Sequence, residues 1–142
     1  MTPDHIQIVQ ETFEMIAPSA EIVAALFYER LFSLDPALRP LFKGDMGAQG
    51  QKLMSTLALV VRGLRRPEQI IPAVRHLGER HANYGVQPAH YRTVGEALLW
   101  TLALGLGARF TDEVKAAWEA AYTLLADLMQ EAAAQVPTKI AA

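Results

Sequence analysis

Apolar residues return every three or four positions along almost the whole chain, and no segment sustains the two-residue alternation of a half-buried strand. That regularity restricts the fold to one built from α-helices. Breaks in the pattern mark the helices off. Thr2 caps a first helix, with Pro3 in its first turn and Ile6, Val9, Phe13 and Ile16 inward; Pro18 ends it. A second carries Ile22, Val23, Leu26, Phe27, Leu31 and Leu34, until Asp35-Pro36 stops it and caps a short helix ending near Leu41-Phe42. Lys43 to Gly50 holds three glycines and reads as a loop running into a helix start. The helix that follows extends to Gly63, with Leu53, Leu57, Val60 and Val61 inward.

Arg65-Arg66-Pro67 is a break. Residues 70–84 read as one or two short helices with Pro72 near a start, and Gly85 is placed to end them in a left-handed conformation. Pro88 opens a long helix through Val94, Leu98, Leu102 and Leu106, closed by Gly105 and Gly107. Thr111-Asp112-Glu113 caps a last helix through Val114, Trp118, Tyr122, Leu125 and Met129, and the tail over 136–142 is expected to fray. About seven helices of unequal length, the last two long, describe an irregular all-α fold in one domain over 1–142 rather than an even four-helix bundle.

Composition narrows the chemistry. With 142 residues, of which 51% are hydrophobic, the chain can bury a sizeable core. A net charge of −2 gives no electrostatic reason to expect nucleic acid or an anionic membrane as partner. The absence of cysteine removes disulfides, thiolate zinc sites, iron–sulfur clusters and covalent haem attachment. The longest uncharged apolar stretch, Ala97 to Ala108, falls short of the roughly 18–20 residues that cross a bilayer. Nothing at the N-terminus has the basic-then-apolar pattern of a secretory signal. A soluble, cytoplasmic chain is expected.

Four histidines are present. His5 reads as solvated, and His90 lies beyond a turn. His76 and His81 are five apart and point about 140° from each other on a helix, so they cannot readily share a metal. His81 shares a face with Leu77 and Val74, which aims its imidazole at apolar surroundings; a buried neutral imidazole needs partners for both nitrogens, and iron could serve one while a backbone carbonyl serves the other. Tyr28, inside the apolar stretch 26–32, reads most simply as a core tyrosine bonded to a backbone carbonyl. Gln49 reads as an exposed residue at a helix start. Arg62, Arg65 and Arg66 form a small basic cluster on a loop edge. No P-loop, dinucleotide fingerprint or nucleophile triad can be assembled.

Taken in order, these residues resemble the globin domain of bacterial flavohaemoglobins and their single-domain relatives. The segments that carry the likeness are 27–32 (FYERLF), 35–42 (DPALRPLF), Gln49 with 52–54 (KLM), 72–86 (PAVRHLGERHANYGV), 90–99 (HYRTVGEALL) and 115–129 (KAAWEAAYTLLADLM). The resemblance implies a b-type haem with His81 as the proximal iron ligand. It makes Tyr28 and Gln49 the distal hydrogen-bonding pair, Leu53 their apolar neighbour, Phe42 the ring that wedges against the haem, and Pro36 the opening of the short third helix. Tyr91 matches a tyrosine that family members hydrogen-bond near the iron ligand. Lys52, Arg75, Arg80 or the arginine cluster could meet a haem propionate.

One departure stands out. Where flavohaemoglobins have a glutamate that bonds the proximal imidazole, this chain has Ala133, with Glu131 and Gln135 two residues to either side. A histidine without that carboxylate pushes less electron density to iron. No flavin or nicotinamide domain is recognisable within these 142 residues, so electrons are expected from a separate reductase. The function implied is reversible binding of O₂ and other diatomics such as NO and CO, by a monomer or dimer. Nitric oxide dioxygenation is the alternative, and a haem-free globin-like interaction module a third.

Overall fold

In the computed structural model, which describes residues 1–136, the chain forms six α-helices and no strand among the described residues. These are α1 (Pro3–Ile16), α2 (Ala20–Leu34), α3 (Met46–Arg62), α4 (Pro67–Asn83), α5 (Pro88–Leu106) and α6 (Asp112–Ala134). Short 3-10 turns occupy Ala17–Ser19, Pro36–Leu41 and Gly107–Arg109. The all-α expectation holds, with six helices in place of about seven. The third predicted helix is the second of these turns: Pro40, inside the six-residue element, lacks the amide that would donate to the Pro36 carbonyl in an α-helix.

Several ends follow the capping logic of the sequence. The His5 amide donates to Thr2 Oγ1 at 3.1 Å, the Ala37 amide to Asp35 Oδ1 at 3.1 Å and the Val114 amide to Thr111 Oγ1 at 3.2 Å. Gly85 (φ 91°) and Gly107 (φ 56°) adopt the positive φ that side-chain-bearing residues rarely take.

Three expectations need correction. The loop after Phe42 is shorter than predicted, because Asp45 caps α3 by accepting from the amides of Gly47 and Ala48. Gly47 and Gly50 therefore lie inside the helix. Residues 70–83 belong to one unbroken helix that starts at Pro67, with Tyr84 as its C-cap; Pro72 lies in its second turn, where the carbonyl deprived of a partner belongs to exposed Glu68. Gly105 does not close α5, which continues to Leu106. The tail from Pro137 onward lies outside the described residues.

Packing is by crossed pairs. α4 lies on α6, α2 on α5, α1 on α6, and α2 on α3. A Cβ at Gly78 would fall 2.3 Å from the Met129 carbonyl oxygen, so α4 and α6 touch backbone to backbone at that point. Trp118 Nε1 donates to Thr12 Oγ1 at 2.8 Å, and Thr12 in turn donates to the Ile8 carbonyl, a buried link between α6 and α1. Phe13, Leu31 and Leu102 are fully buried at the centre. α3 and α4 are consecutive yet share little contact, and the apolar residues Phe42, Leu53, Leu57, Leu77 and Val86 are left only partly covered.

Candidate haem-binding site

α2 and α3 bring Tyr28 and Gln49 together. A Cβ at Gly50 would stand 3.0 Å from Ala24 Cβ, so the two helices pack closely one turn before Tyr28 and beside Gln49. The Gln49 side-chain amide then donates to the Tyr28 hydroxyl at 3.2 Å. Tyr28 is buried against Phe27 (edge-on, ring centroids 5.0 Å apart), Phe32 (stacked, 6.0 Å) and Phe42 (edge-on, 5.4 Å). Burial pushes its phenol above the ordinary value, and the Gln49 bond offsets this in part. The hydroxyl is therefore protonated at neutral pH. It accepts from Gln49 but donates to no group among the described residues. Gln49 is thus half-buried rather than exposed, and the partner of Tyr28 is a side-chain amide rather than a backbone carbonyl. Leu53, one turn further along α3, is half-buried as well.

His81 sits in the last turn of α4. Its Nδ1 lies 2.8 Å from the Leu77 carbonyl oxygen, which can only accept, so the ring proton resides on Nδ1. Nε2 keeps its lone pair and has no hydrogen-bond partner among the described residues. Burial drives the imidazole pKa down; the Leu77 carbonyl opposes this and the Arg80 charge adds to it. A neutral imidazole with one free lone pair is the form that ligates a metal.

The remaining assignments divide. Tyr91 is buried on α5, but its hydroxyl has no hydrogen-bond partner among the described residues, and no bond joins it to His81. Its backbone carbonyl accepts from the Tyr122 hydroxyl, a ring admitted by Gly95, whose Cβ would stand 2.8 Å from Tyr122 Cε2. Glu131 and Gln135 do not turn toward His81 either: Arg75 pairs with Glu131 at 3.5 Å and donates to Gln135 at 3.0 Å. The arginine cluster is also drawn elsewhere, because Arg62 pairs with Glu14 at 2.9 Å and Arg65 Nε donates to Gln10 at 3.2 Å, tying the end of α3 and the turn after it to α1. His5 and His90 cap helices, the latter accepting from the Gln87 amide at 2.9 Å, and His76 lies near Glu79. No group of three His, Asp or Glu side chains suited to a metal ion occurs among the described residues.

Sequence reasoning missed Gly50 and Gly78, the two close-approach points that aim these side chains. For Gly78 the available signal was a glycine inside a helical pattern, where it costs about 1 kcal/mol relative to alanine unless packing requires it; Gly50 was hidden by its reading as the end of a loop.

Comparison with known proteins agrees with this arrangement. The globin family profile matches residues 25–129. The chain is 30% identical over 131 residues to the flavohemoprotein of Vibrio cholerae and 33% identical over 132 residues to that of Bordetella bronchiseptica. Each alignment covers about nine-tenths of this chain (90% and 91%) and 33% of the relative, so the chain spans about a third of the length of those proteins. Among solved structures, an engineered carbene transferase of Rhodothermus marinus, provisionally named a nitric oxide dioxygenase, superposes with a TM-score of 0.86 at 30% identity, covering 95% of this chain and 94% of that one. A bacterial globin of Campylobacter jejuni gives 0.81 at 24% identity, covering 94% and 96%, a likeness of fold. With its helices, their crossings and most of its length accounted for in this way, the chain belongs to the globin family.

Proposed function

We propose that the protein holds one b-type haem through His81 Nε2 and reversibly binds O₂, with Tyr28 and Gln49 as the groups that stabilise the bound gas. The residues present suit a haem: a neutral imidazole with a free Nε2, apolar side chains left partly uncovered, and a pair of uncharged donors in an aromatic setting. When bound, haem iron supplies an open position for a diatomic ligand such as O₂, CO or NO.

The observation that carries the reading is the Gln49-to-Tyr28 hydrogen bond. Because Tyr28 Oη accepts from the amide, its own proton is left to donate, and the bond fixes the direction in which the phenol lies. Phe27, Phe32 and Phe42 keep water from competing for that proton. On the other side, the Leu77 carbonyl holds the His81 proton on Nδ1 and sets the ring's rotation. A carbonyl accepts a proton less strongly than a carboxylate, so His81 stays an imidazole rather than gaining imidazolate character, which favours holding a gas over activating peroxide.

His81→Ala tests the proposal. The variant should lose most of its pigment, and added free imidazole should restore the Soret band. Full native pigment in His81→Ala without rescue defeats the assignment, and a wild-type protein with no Soret band at all favours a haem-free module.

A second reading is supported by the name of the Rhodothermus marinus relative. In nitric oxide dioxygenation, NO, O₂ and one electron give nitrate, the electron coming from a separate reductase. Nitrate measured over repeated NO additions separates the two. One equivalent and a halt, even with a reductase supplied, leaves gas binding as the function; sustained nitrate makes the protein a dioxygenase.

A further inference from the structure

Two stretches are apolar around the whole helix rather than on one side. Ile22 to Tyr28 of α2 and Ala97 to Leu106 of α5 contain no charged residue, which is about two and three turns respectively. One side of each is buried in the core, through Val23, Phe27, Leu98 and Leu102. The other side is open: Ile22 is 65% exposed and Leu104 54%, beside half-buried Leu26 and Trp100. A helix that is apolar all round is the kind that is covered on every side. The open sides form one face. α2 packs on α5, and the Arg30 guanidinium carbon lies 5.0 Å from the centre of the Trp100 ring. A Cβ at Gly105 would stand 3.3 Å from Ile16, just ahead of α2, so the two helices run past each other in opposite directions.

Charge identifies what covers this face. Arg30 Nε is buried without a hydrogen-bond partner, and no carboxylate pairs with Arg30 among the described residues. Its neighbour Glu29 is exposed and pairs with no cation among them. Consecutive residues on a helix do not face each other, so the two leave each other unpaired. We propose that this face joins two copies of the chain about a twofold axis. Ile22, Leu26, Trp100 and Leu104 pack on the same four residues of the partner, and Arg30 of each copy pairs with Glu29 of the other, a contact that the symmetry makes twice. A face with one unmet charge of each sign suits its own copy. A purely acidic partner would oppose Glu29, and lipid would bury both charges unpaired. The area suffices. The 15 residues of α2 and 19 of α5 make helices about 22 and 28 Å long, so side by side they offer a corrugated face about 20 by 25 Å. That approaches the roughly 600–800 Å² of accessible surface per partner that a specific interface buries. Ala24 and Tyr28 look toward α3, so the pairing leaves the candidate haem site uncovered.

Sedimentation equilibrium of the purified protein from about 1 µM to about 1 mM tests this. A reversible monomer–dimer equilibrium is expected, with a Kd of about 1–100 µM. Leu104→Glu should weaken it by at least about tenfold, and Ile22→Glu serves the same purpose if the first change is not accommodated. Leu124→Glu, on the open side of α6 where Leu124 is 43% exposed, should leave it unchanged. Exchange of charges is the sharper arm. Glu29→Arg and Arg30→Glu each set like charges face to face across the axis, and each alone should dimerise at least about tenfold more weakly. Mixed in equal amounts, the two variants place opposite charges at both contacts and should associate as tightly as wild type. A chain that stays monomeric at about 1 mM overturns the proposal; capture of that monomer by phosphatidylcholine vesicles would mean that lipid covers the face instead. A dimer that survives both Ile22→Glu and Leu104→Glu, or is lost in Leu124→Glu, lies on another surface and overturns it as well. A mixture of the charge variants that stays monomeric refutes the twofold pairing of Arg30 with Glu29. Because sedimentation reads mass directly, none of these outcomes depends on whether His81 holds iron.

Discussion

At the scale of single residues, the two sides of the site rest on different kinds of bond. On α2 and α3, one neutral amide–hydroxyl contact sets the polarity, and its removal is predictable. A good donor to a bound diatomic contributes about 1–2 kcal/mol, so Tyr28→Phe should raise the O₂ dissociation rate about tenfold. Stopped-flow displacement of O₂ by CO measures it, and an unchanged rate removes Tyr28 from that role. The partner side relies on tautomer control, through the contact between His81 Nδ1 and the Leu77 carbonyl. Both histidine and tyrosine were legible in the sequence as unusual residues in apolar company. Their mutual arrangement was not. Gln49 looked like a solvated helix start because nothing local to position 49 reveals that Ala24 and Gly50 press two helices together beside it. Tyr91 is buried on α5 near Ala133, and its hydroxyl finds no partner among the described residues.

At the scale of elements, α4 depends on one glycine for its seat. Adding a methyl at Gly78 sets it 2.3 Å from a carbonyl oxygen and 2.6 Å from the Cα of Met129. Backbone cannot swing aside as a side chain can, so α4 must lift from α6. Gly78→Ala should therefore destabilise the protein by about 3 kcal/mol, at the upper end for overpacking. Urea unfolding checks it, and a loss below about 1 kcal/mol shows that the crossing is looser than described. Helix placement was readable wherever the chain punctuates itself with a cap or a positive-φ glycine, as at Thr2, Gly85 and Thr111. It failed where the punctuation was ambiguous. Pro72 looked like a start because proline is favoured in a first turn, but Pro67 already fills that position and the long contact of α4 with α6 carries the helix past the missing amide. Pro36 and Pro40 did the reverse, tightening an expected helix into 3-10 turns.

For the whole molecule, the buried phenols of Tyr28, Tyr91 and Tyr122 give stability a shared response to alkali. Each is pushed above the ordinary value of 10.0, by burial first and, for Tyr122, by the neighbouring Tyr91 as well. Unfolded chains release these protons near pH 10 while the folded protein keeps them, so the folded state binds more protons in that range. The stabilisation is complete below about pH 10 and declines as pH rises beyond it; for Tyr122, the most strongly shifted, the slope approaches about 1.4 kcal/mol per pH unit. Denaturation midpoints should change little from this source below about pH 10 and fall as pH rises toward about 11 in wild type, with a shallower fall in Tyr122→Phe. Parallel slopes would count against the burial of that phenol. No described helix is long and apolar enough to cross a membrane.

The contact between Ala24 and Gly50 reaches further than its size suggests. A single methyl group, that of Ala24, is the spacer between the helix bearing the hydroxyl and the helix bearing the amide. If Tyr28 and Gln49 hold a gas as proposed, its residence time would be tunable from position 24 by bulk alone. Variation there in related chains would alter affinity while every residue in the pocket itself stayed the same.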